Sequence, residues 1–215
     1  GLPLYGGQAS SLGLLQVPPS DLGQVEIIKG AASALYGGQA LGGVINLVSK
    51  YPGSEPSGEV ILNATTREGQ DISGYGETKL NNLFRSSFLA NVSRQSAQDL
   101  DEDQWIDMPS YHRVALRPRL FYESDEGTTA LLTIGVMNED RQGGTVPNGL
   151  TPNGKSFPQD LKKRRLDAGI KLSHPINDAI SLEVRSSSMR QNHAHVFGDR
   201  LETDRHETQL LEFSV

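Results

Sequence analysis

The chain contains no cysteine, which excludes disulfide frameworks, thiolate metal sites and cysteine nucleophiles. Positive charge is in deficit, with 20 Lys and Arg against 26 Asp and Glu and a formal net charge of -6. Phosphate binding needs a concentrated basic face, so nucleic acid is not an expected partner. Apolar residues are only 36% and charged residues only 21%. Small polar residues and 23 glycines fill the gap, so the chain either is loop-rich or alternates small polar with apolar side chains. Catalytic signatures are missing too: there is no Walker A, no G-x-S-x-G and no H-E-x-x-H. The glycines between Gly37 and Gly43 lack the G-x-G-x-x-G spacing, and no long helix follows them. No enzyme is expected and no cofactor is implied. Nor is there an initiator methionine or a basic segment followed by an apolar one, the mark of a secretory signal. The chain ends inside a promising strand at 209–215, so the expectation is a fragment cut at both ends.

A membrane-spanning helix is also unexpected. Residues Gly30 to Ser49 are uncharged and long enough to cross a bilayer. Gly30, Gly37, Gly38, Gly42 and Gly43 interrupt them, each costing about 0.8–1 kcal/mol relative to alanine in a helix. Pro3, Pro18 and Pro19 break the uncharged first twenty residues.

What the sequence does have is alternation. Beyond a linker at 53–57, segments of roughly ten residues switch between apolar and polar, the period of a strand. Leu166, Ala168, Ile170 and Leu172 oppose Asp167, Gly169, Lys171 and Ser173. Ile180, Leu182 and Val184 oppose Ser181, Glu183 and Arg185. Val114, Leu116, Leu120 and Tyr122 oppose Arg113, Arg117 and Arg119, and Ala130, Leu132, Ile134 and Val136 follow. Weaker strands cover 59–66, 73–80 and 85–94, and a last one starts near Thr208. About eight strands result, each of the ~9–11 residues that a tilted strand needs to cross hydrocarbon. Short turns at 81–82, 123–127 and 175–178 alternate with longer links at 96–109, 140–162 and 191–204. That asymmetry suits an outer-membrane barrel better than a soluble sandwich.

Polarity then assigns the faces. Arg or Lys facing lipid at the midplane costs about 2–4 kcal/mol. Arg113, Arg117, Arg119, Lys171, Arg185 and Glu183 are therefore expected to face the lumen. Pro118 falls on the lipid-facing parity and cannot donate a ladder hydrogen bond, so a bulge or a boundary position is expected there.

The glycine-rich first fifty residues resemble the plug of TonB-dependent outer-membrane receptors. The resemblance rests on Val25-Glu26-Ile27-Ile28-Lys29-Gly30, then Ser33-Ala34-Leu35-Tyr36-Gly37, then Ala40-Leu41-Gly42-Gly43-Val44-Ile45-Asn46-Leu47. Ala31 stands where the family usually has proline. The plug-motif positions are Gly30, Ser33, Tyr36, Gly37, Gly42, Gly43 and Asn46. The resemblance implies an all-β-dominated fold: a partial transmembrane antiparallel β-barrel, about eight strands of a larger one, preceded by the end of a small α+β plug. Residues 1–52 would be the C-terminal part of the plug, 53–57 the linker and 58–215 the truncated barrel. An eight-stranded barrel is filled by its own side chains, whereas a plugged one has roughly 22 strands, so a larger barrel is required. The fragment alone is not expected to insert.

By the same resemblance, Glu26 and Lys29 are plug-to-barrel contacts, with Arg113, Arg117 and Arg119 among the wall partners. Tyr5, Gln8, Ser10 and Ser11 would lie in the apex loop that touches ligand. The implied function is TonB-dependent import, most readily of a ferric siderophore, across the outer membrane of a Gram-negative bacterium. Partners would be TonB, through an N-terminal box upstream of Gly1, an iron–siderophore or similar small ligand, and outer-membrane lipid. The alternatives are cobalamin or another TonB-dependent substrate, or a surface β-rich adhesion domain without transport. His193, His195 and His206 are weak metal candidates against a reading as solvated loop residues. Asp99, Asp101, Glu102 and Asp103 form an acidic loop that either holds Ca²⁺ or is simply solvated. Trp105 and Tyr111 are either interface-girdle residues or ligand-stacking groups.

Overall fold

The computed structural model describes residues 19–29, 44–177 and 179–214. Tyr5, Gln8, Ser10, Ser11, Gly30, Ser33, Tyr36, Gly37, Gly42 and Gly43 lie outside these described residues. Strands β1 (Leu22–Ile28) and β2 (Val44–Ser49) pair antiparallel as a small sheet. The next eight strands are β3 (Ser57–Ala64), β4 (Gly69–Lys79), β5 (Phe84–Gln95), β6 (Ser110–Glu123), β7 (Thr129–Gly144), β8 (Pro158–Asn177), β9 (Ile180–Phe197) and β10 (Arg200–Ser214). They form one antiparallel meander in which every strand pairs with its chain neighbours, leaving β3 and β10 at the edges. Among the described residues, the helical structure is a 3-10 turn at Pro19–Asp21, and no helix is long and apolar enough to cross a membrane.

The period of two decides the faces. On β7, Leu132, Ile134 and Val136 are 44%, 43% and 40% exposed, while Thr133, Met137 and Glu139 on the other parity are 8%, 1% and 1% exposed. Cross-strand pairing carries this split over the sheet. The expected inward set Arg113, Arg117, Arg119, Lys171, Glu183 and Arg185 all fall on the parity of Thr133 and Glu139. That face also receives the β1–β2 unit. The opposite face is an uncovered apolar surface, as a lipid-facing wall requires.

The apolar belt does not follow one row of paired residues. Val92 leads through Val114 and Asn138 to Arg164, which is charged. Phe213 leads through Val184, Leu172 and Ala130 to Tyr122 and Phe84. A level belt therefore requires strands that tilt across it, the stagger that closing a barrel demands. The spanning parts are Val114–Tyr122 on β6, Ala130–Val136 on β7 and Leu166–Leu172 on β8. At the short-turn end the Phe84 and Tyr122 rings pack 5.2 Å apart, where an interface girdle belongs.

Three expectations need correction. The expected link at 191–204 is strand: β9 runs to Phe197, β10 starts at Arg200, and Gly198-Asp199 turn between them. The expected link at 140–162 shrinks to 145–157. The physical reason is shared. β8 has 20 residues and β9 has 18, about twice the ~9–11 that hydrocarbon requires. Their outer halves stand beyond the apolar belt, where both faces can be polar, so the alternation fades while the pairing continues. Gly198 permits the tight turn with φ of 61°, and a Cβ there would lie 2.7 Å from the Phe157 ring. The third correction concerns Pro118, which sits mid-belt opposite Phe88 without a bulge. The pairs Leu116↔Val136 and Arg119↔Thr133 keep one register, and the ladder to β7 lapses only between them.

Candidate functional site

Among the described residues, the 3-10 turn that precedes the small sheet meets the large sheet through two buried residues, Ser20 and Asp21. Asp21, closing the 3-10 turn, accepts Nη1 and Nη2 of Arg119, each at 2.5 Å. Both side chains are more than nine-tenths buried. The turn is fixed locally: Ser49 Oγ donates to Asp21 Oδ2 at 3.1 Å, and the Lys50 amide donates to the Asp21 carbonyl at 2.8 Å. Ser20 and Ser73 hydroxyls meet at 2.7 Å beside it. Glu26 instead accepts Nδ2 of Asn46 at 2.7 Å and Nε2 of Gln24 at 3.2 Å inside the small sheet. Lys29 is exposed at the end of β1. Arg119 thus bonds Asp21, five positions before Glu26 and not among the residues expected to meet it.

A second anchorage joins the segment after β2 to the short-turn end. The Tyr51 ring meets Phe121 edge-on at 5.1 Å. Arg85 bonds Glu123 at 2.6 Å and Tyr51 Oη at 3.2 Å. Glu77 accepts the Gly53 amide at 3.2 Å and Ser57 Oγ at 3.0 Å. The Lys50 ammonium lies over the Tyr75 ring at 5.1 Å.

Above the Asp21 latch, towards the long-loop end, the inner face carries two charge clamps. Glu139 holds Arg113 at 2.7 Å and Arg141 at 3.1 Å. Both guanidiniums also flank the Tyr111 ring at 5.2 Å. Asp167 holds Arg117 at 2.7 Å and Arg165 at 3.2 Å. Arg117 reaches β8 only because Gly135 lies between them on β7: a Cβ there would fall on the guanidinium and 2.6 Å from Asp167 Oδ1. Lys163, 3% exposed, pairs across strands with Glu139 and His193. Burial would raise the Glu139 carboxyl, but Arg113 and Arg141 hold it below the usual range. Burial pushes the Lys163 ammonium down; Glu139 opposes this and Arg165 adds to it.

Beyond the clamps, His193, His195 and His206 occupy the inner parity of the β9–β10 hairpin. The His193 and His206 rings are 6.2 Å apart, His206 Nε2 bonds Asp204 at 2.9 Å, and His193 Nε2 contacts Gln191 at 2.6 Å. The three histidines do not gather as ligands. Among the described residues, the one group close enough for a shared ion is Asp99, Asp101 and Asp107, with oxygens within 4.8 Å. Asp99 and Asp107 already accept the amides of Gln104 and Leu100, at 3.0 and 2.7 Å. Asp103 caps the Trp105 amide at 2.8 Å. The loop's carboxylates thus build the loop itself. Loss of solvent, then the charges of Asp103 and Asp107, raise the Asp101 carboxyl above the usual range. Trp105 packs on Phe157 at 5.7 Å, and Phe157 on Phe197 at 4.9 Å, which ties the two outer loops to the hairpin. Tyr111 faces inward, with the Arg113 and Arg141 guanidiniums over its ring.

Residues 1–44 match the family model of the TonB-dependent Receptor Plug Domain. Over these residues the chain is similar to the plug of TonB-dependent receptors. The ferrioxamine receptor of Yersinia enterocolitica is 29% identical over 157 residues, covering 73% of this chain and 21% of that protein. The ferrichrome outer membrane transporter/phage receptor of Escherichia coli K12 is 27% identical over 211 residues, covering 85% and 26%. The chain therefore spans about a fifth to a quarter of the length of these curated receptors. Two siderophore receptors of Acinetobacter baumannii share the fold. PiuA has a TM-score of 0.68 at 19% identity, over 89% of this chain and 31% of that one. PirA has a TM-score of 0.69 at 15% identity, over 96% and 33%.

Proposed function

We propose that this chain supplies the plug-to-wall junction and the first barrel strands of an outer-membrane receptor that imports a ferric siderophore with energy from TonB. Residues 1–52 serve as the C-terminal part of the plug, 53–57 as the linker and 58–215 as the opening strands of the wall. The observation that carries this reading is the division of one sheet into an uncovered apolar face and an inner face ion-paired to a plug-side turn through Asp21 and Arg119. Further strands must pair with β3 and β10, because an open edge in lipid leaves each backbone group unsatisfied at several kcal/mol. Ligand would enter between the long loops, meet the apex segment containing Tyr5, Gln8, Ser10 and Ser11, and pass the clamps as the plug rearranges. Glu26, Lys29, Arg113 and Arg117 remain proposed participants in that rearrangement. The role is transport; no step requires a catalytic residue or a cofactor.

The test is uptake of radioactive iron from defined ferric siderophores, and of cobalt-labelled cobalamin, by a strain deleted for the receptor, with and without the gene restored. Restoration of TonB-dependent uptake of a ferric siderophore is the expected result. Restored cobalamin uptake alone would redirect the substrate, and unchanged uptake of every compound would remove the import reading.

A further inference from the structure

The connections at the long-loop end are joined to one another through backbone bonds, as strands are. The loop at 96–109 closes on itself, with Gln98 and Met108 exchanging amide-to-carbonyl bonds at 3.0 and 3.1 Å. It is then stitched to the end of β7: the Ile106 amide donates to the Gly144 carbonyl at 2.8 Å, and the Val146 amide to the Gln104 carbonyl at 2.9 Å. The loop at 145–157 folds back on the same point, where the Thr145 amide donates to the Phe157 carbonyl and the Phe157 amide to Thr145 Oγ1, both at 3.0 Å. The turn between β9 and β10 joins them, since the Gly198 amide donates to the Pro158 carbonyl at 2.8 Å. Three rings repeat the connection through side chains. Phe157 stands in the middle, with Trp105 of one loop on one side and Phe197 of the hairpin on the other. Gly144 lies where the backbones cross, and a Cβ there would overlap the Phe157 carbonyl. Segments that close over a ligand are drawn from the least stable parts of a fold, with few internal bonds. These connections have the opposite character.

Resting on the import reading above, we infer that the loops at 96–109 and 145–157 and the Gly198-Asp199 turn form one rigid section of the ligand mouth, keyed by Phe157. Closure over an incoming complex is made against this section and not by it. The ordering of these residues is complete before ligand arrives, so binding does not have to supply it. Phe157 acts as a positioning residue, through the two connections it touches.

The test uses the complete receptor carrying this chain and begins with native-state hydrogen exchange in the absence of ligand. The amides of Ile106, Val146 and Gly198 should open together, with equal protection to within about threefold. Phe157→Ala, which removes both ring contacts, should speed all three about tenfold and leave Leu132 and Ile134 on β7 unchanged. Phe157→Tyr, which keeps the ring, should leave them all unchanged. Independent exchange of the three amides, or a Phe157→Ala effect confined to Val146 in the same loop, overturns the inference. The second arm locks the section. Lys155 and Asp199 form an exposed ion pair at 3.7 Å, of little worth in itself. Lys155→Cys/Asp199→Cys joined by a short bismaleimide therefore ties loop to turn, after any cysteine outside this chain is replaced by serine. Cells carrying the cross-linked receptor should take up radioactive iron, offered as a ferric tris-hydroxamate or a ferric tris-catecholate, within about twofold of cells left uncross-linked. Uptake lost on cross-linking overturns the inference while leaving import intact. Uptake of neither complex by the unmodified receptor counts against the import reading, and the exchange result then decides the inference alone.

Discussion

The Asp21–Arg119 pair predicts how firmly the plug-side unit is held to the wall. The perturbation is Arg119→Met, which keeps the aliphatic stem and removes the charge. Asp21 would then lie buried with Ser49 Oγ as its remaining side-chain donor among the described residues. Removing one partner of a buried pair costs about 3–5 kcal/mol, because the other charge stays desolvated. At about 1.4 kcal/mol per factor of ten, local opening of β1 and β2 should become roughly two to four orders of magnitude more frequent. Native-state hydrogen exchange on the complete receptor reads this directly, at the amides of Leu22–Ile28 and Val44–Ser49. Asp21→Leu alone should be comparably damaging, since it strands the guanidinium. The double variant Asp21→Leu/Arg119→Met should recover most of the protection, because an apolar pair of similar volume is often neutral or better. Exchange at those amides within about threefold of the parent in Arg119→Met, or effects of the two single changes that simply add in the double, would refute the reasoning.

Two further outcomes follow from the inner wall. Gly135→Val should displace Arg117 from Asp167 and destabilise the receptor by about 3–5 kcal/mol, as breaking a buried pair does, measured as a fall in thermal unfolding temperature; Gly76→Val, where nothing lies within 4 Å of the added carbon, is the control. Burial, then the charges of Lys163 and His206, lower the His193 imidazole against the opposing pull of Asp204. It should therefore titrate below the ordinary value of about 6.5. Its contribution to stability is complete above that ordinary value and is lost as pH falls through the lower folded one. An NMR titration checks the midpoint, which Lys163→Gln should move upward.

The sequence made the spanning parts legible where one face is lipid. Leu166 to Leu172 and Ala130 to Val136 must alternate, because each lipid-facing polar side chain would cost free energy there. The same rule loses force once a strand leaves the membrane. Gln191 to Phe197 and Arg200 to Asp204 look like a loop by composition, yet they pair residue for residue. Backbone bonds hold that hairpin, with Phe157 packed against its turn, and neither feature leaves a periodic trace. The latch was hidden for another reason. Asp21 lies outside the strand that carries the family pattern, in a short turn whose aim depends on the register of β1 against β2. Gly135 reads as a weak point in a strand until the guanidinium lying over it is seen.

The account depends on the two faces of the sheet meeting different solvents. These 215 residues contain no cysteine, so spin labels can be placed singly, at Leu132→Cys and Ile134→Cys on one parity and at Thr133→Cys and Met137→Cys on the other, in the receptor reconstituted in bilayers after any cysteine outside this chain is replaced by serine. Collision with molecular oxygen should dominate at Leu132 and Ile134, which face acyl chains, and fall sharply at Thr133 and Met137. Equal oxygen accessibility on the two parities, or a water-soluble nickel chelate reaching Ile134 more readily than Thr133, would contradict it.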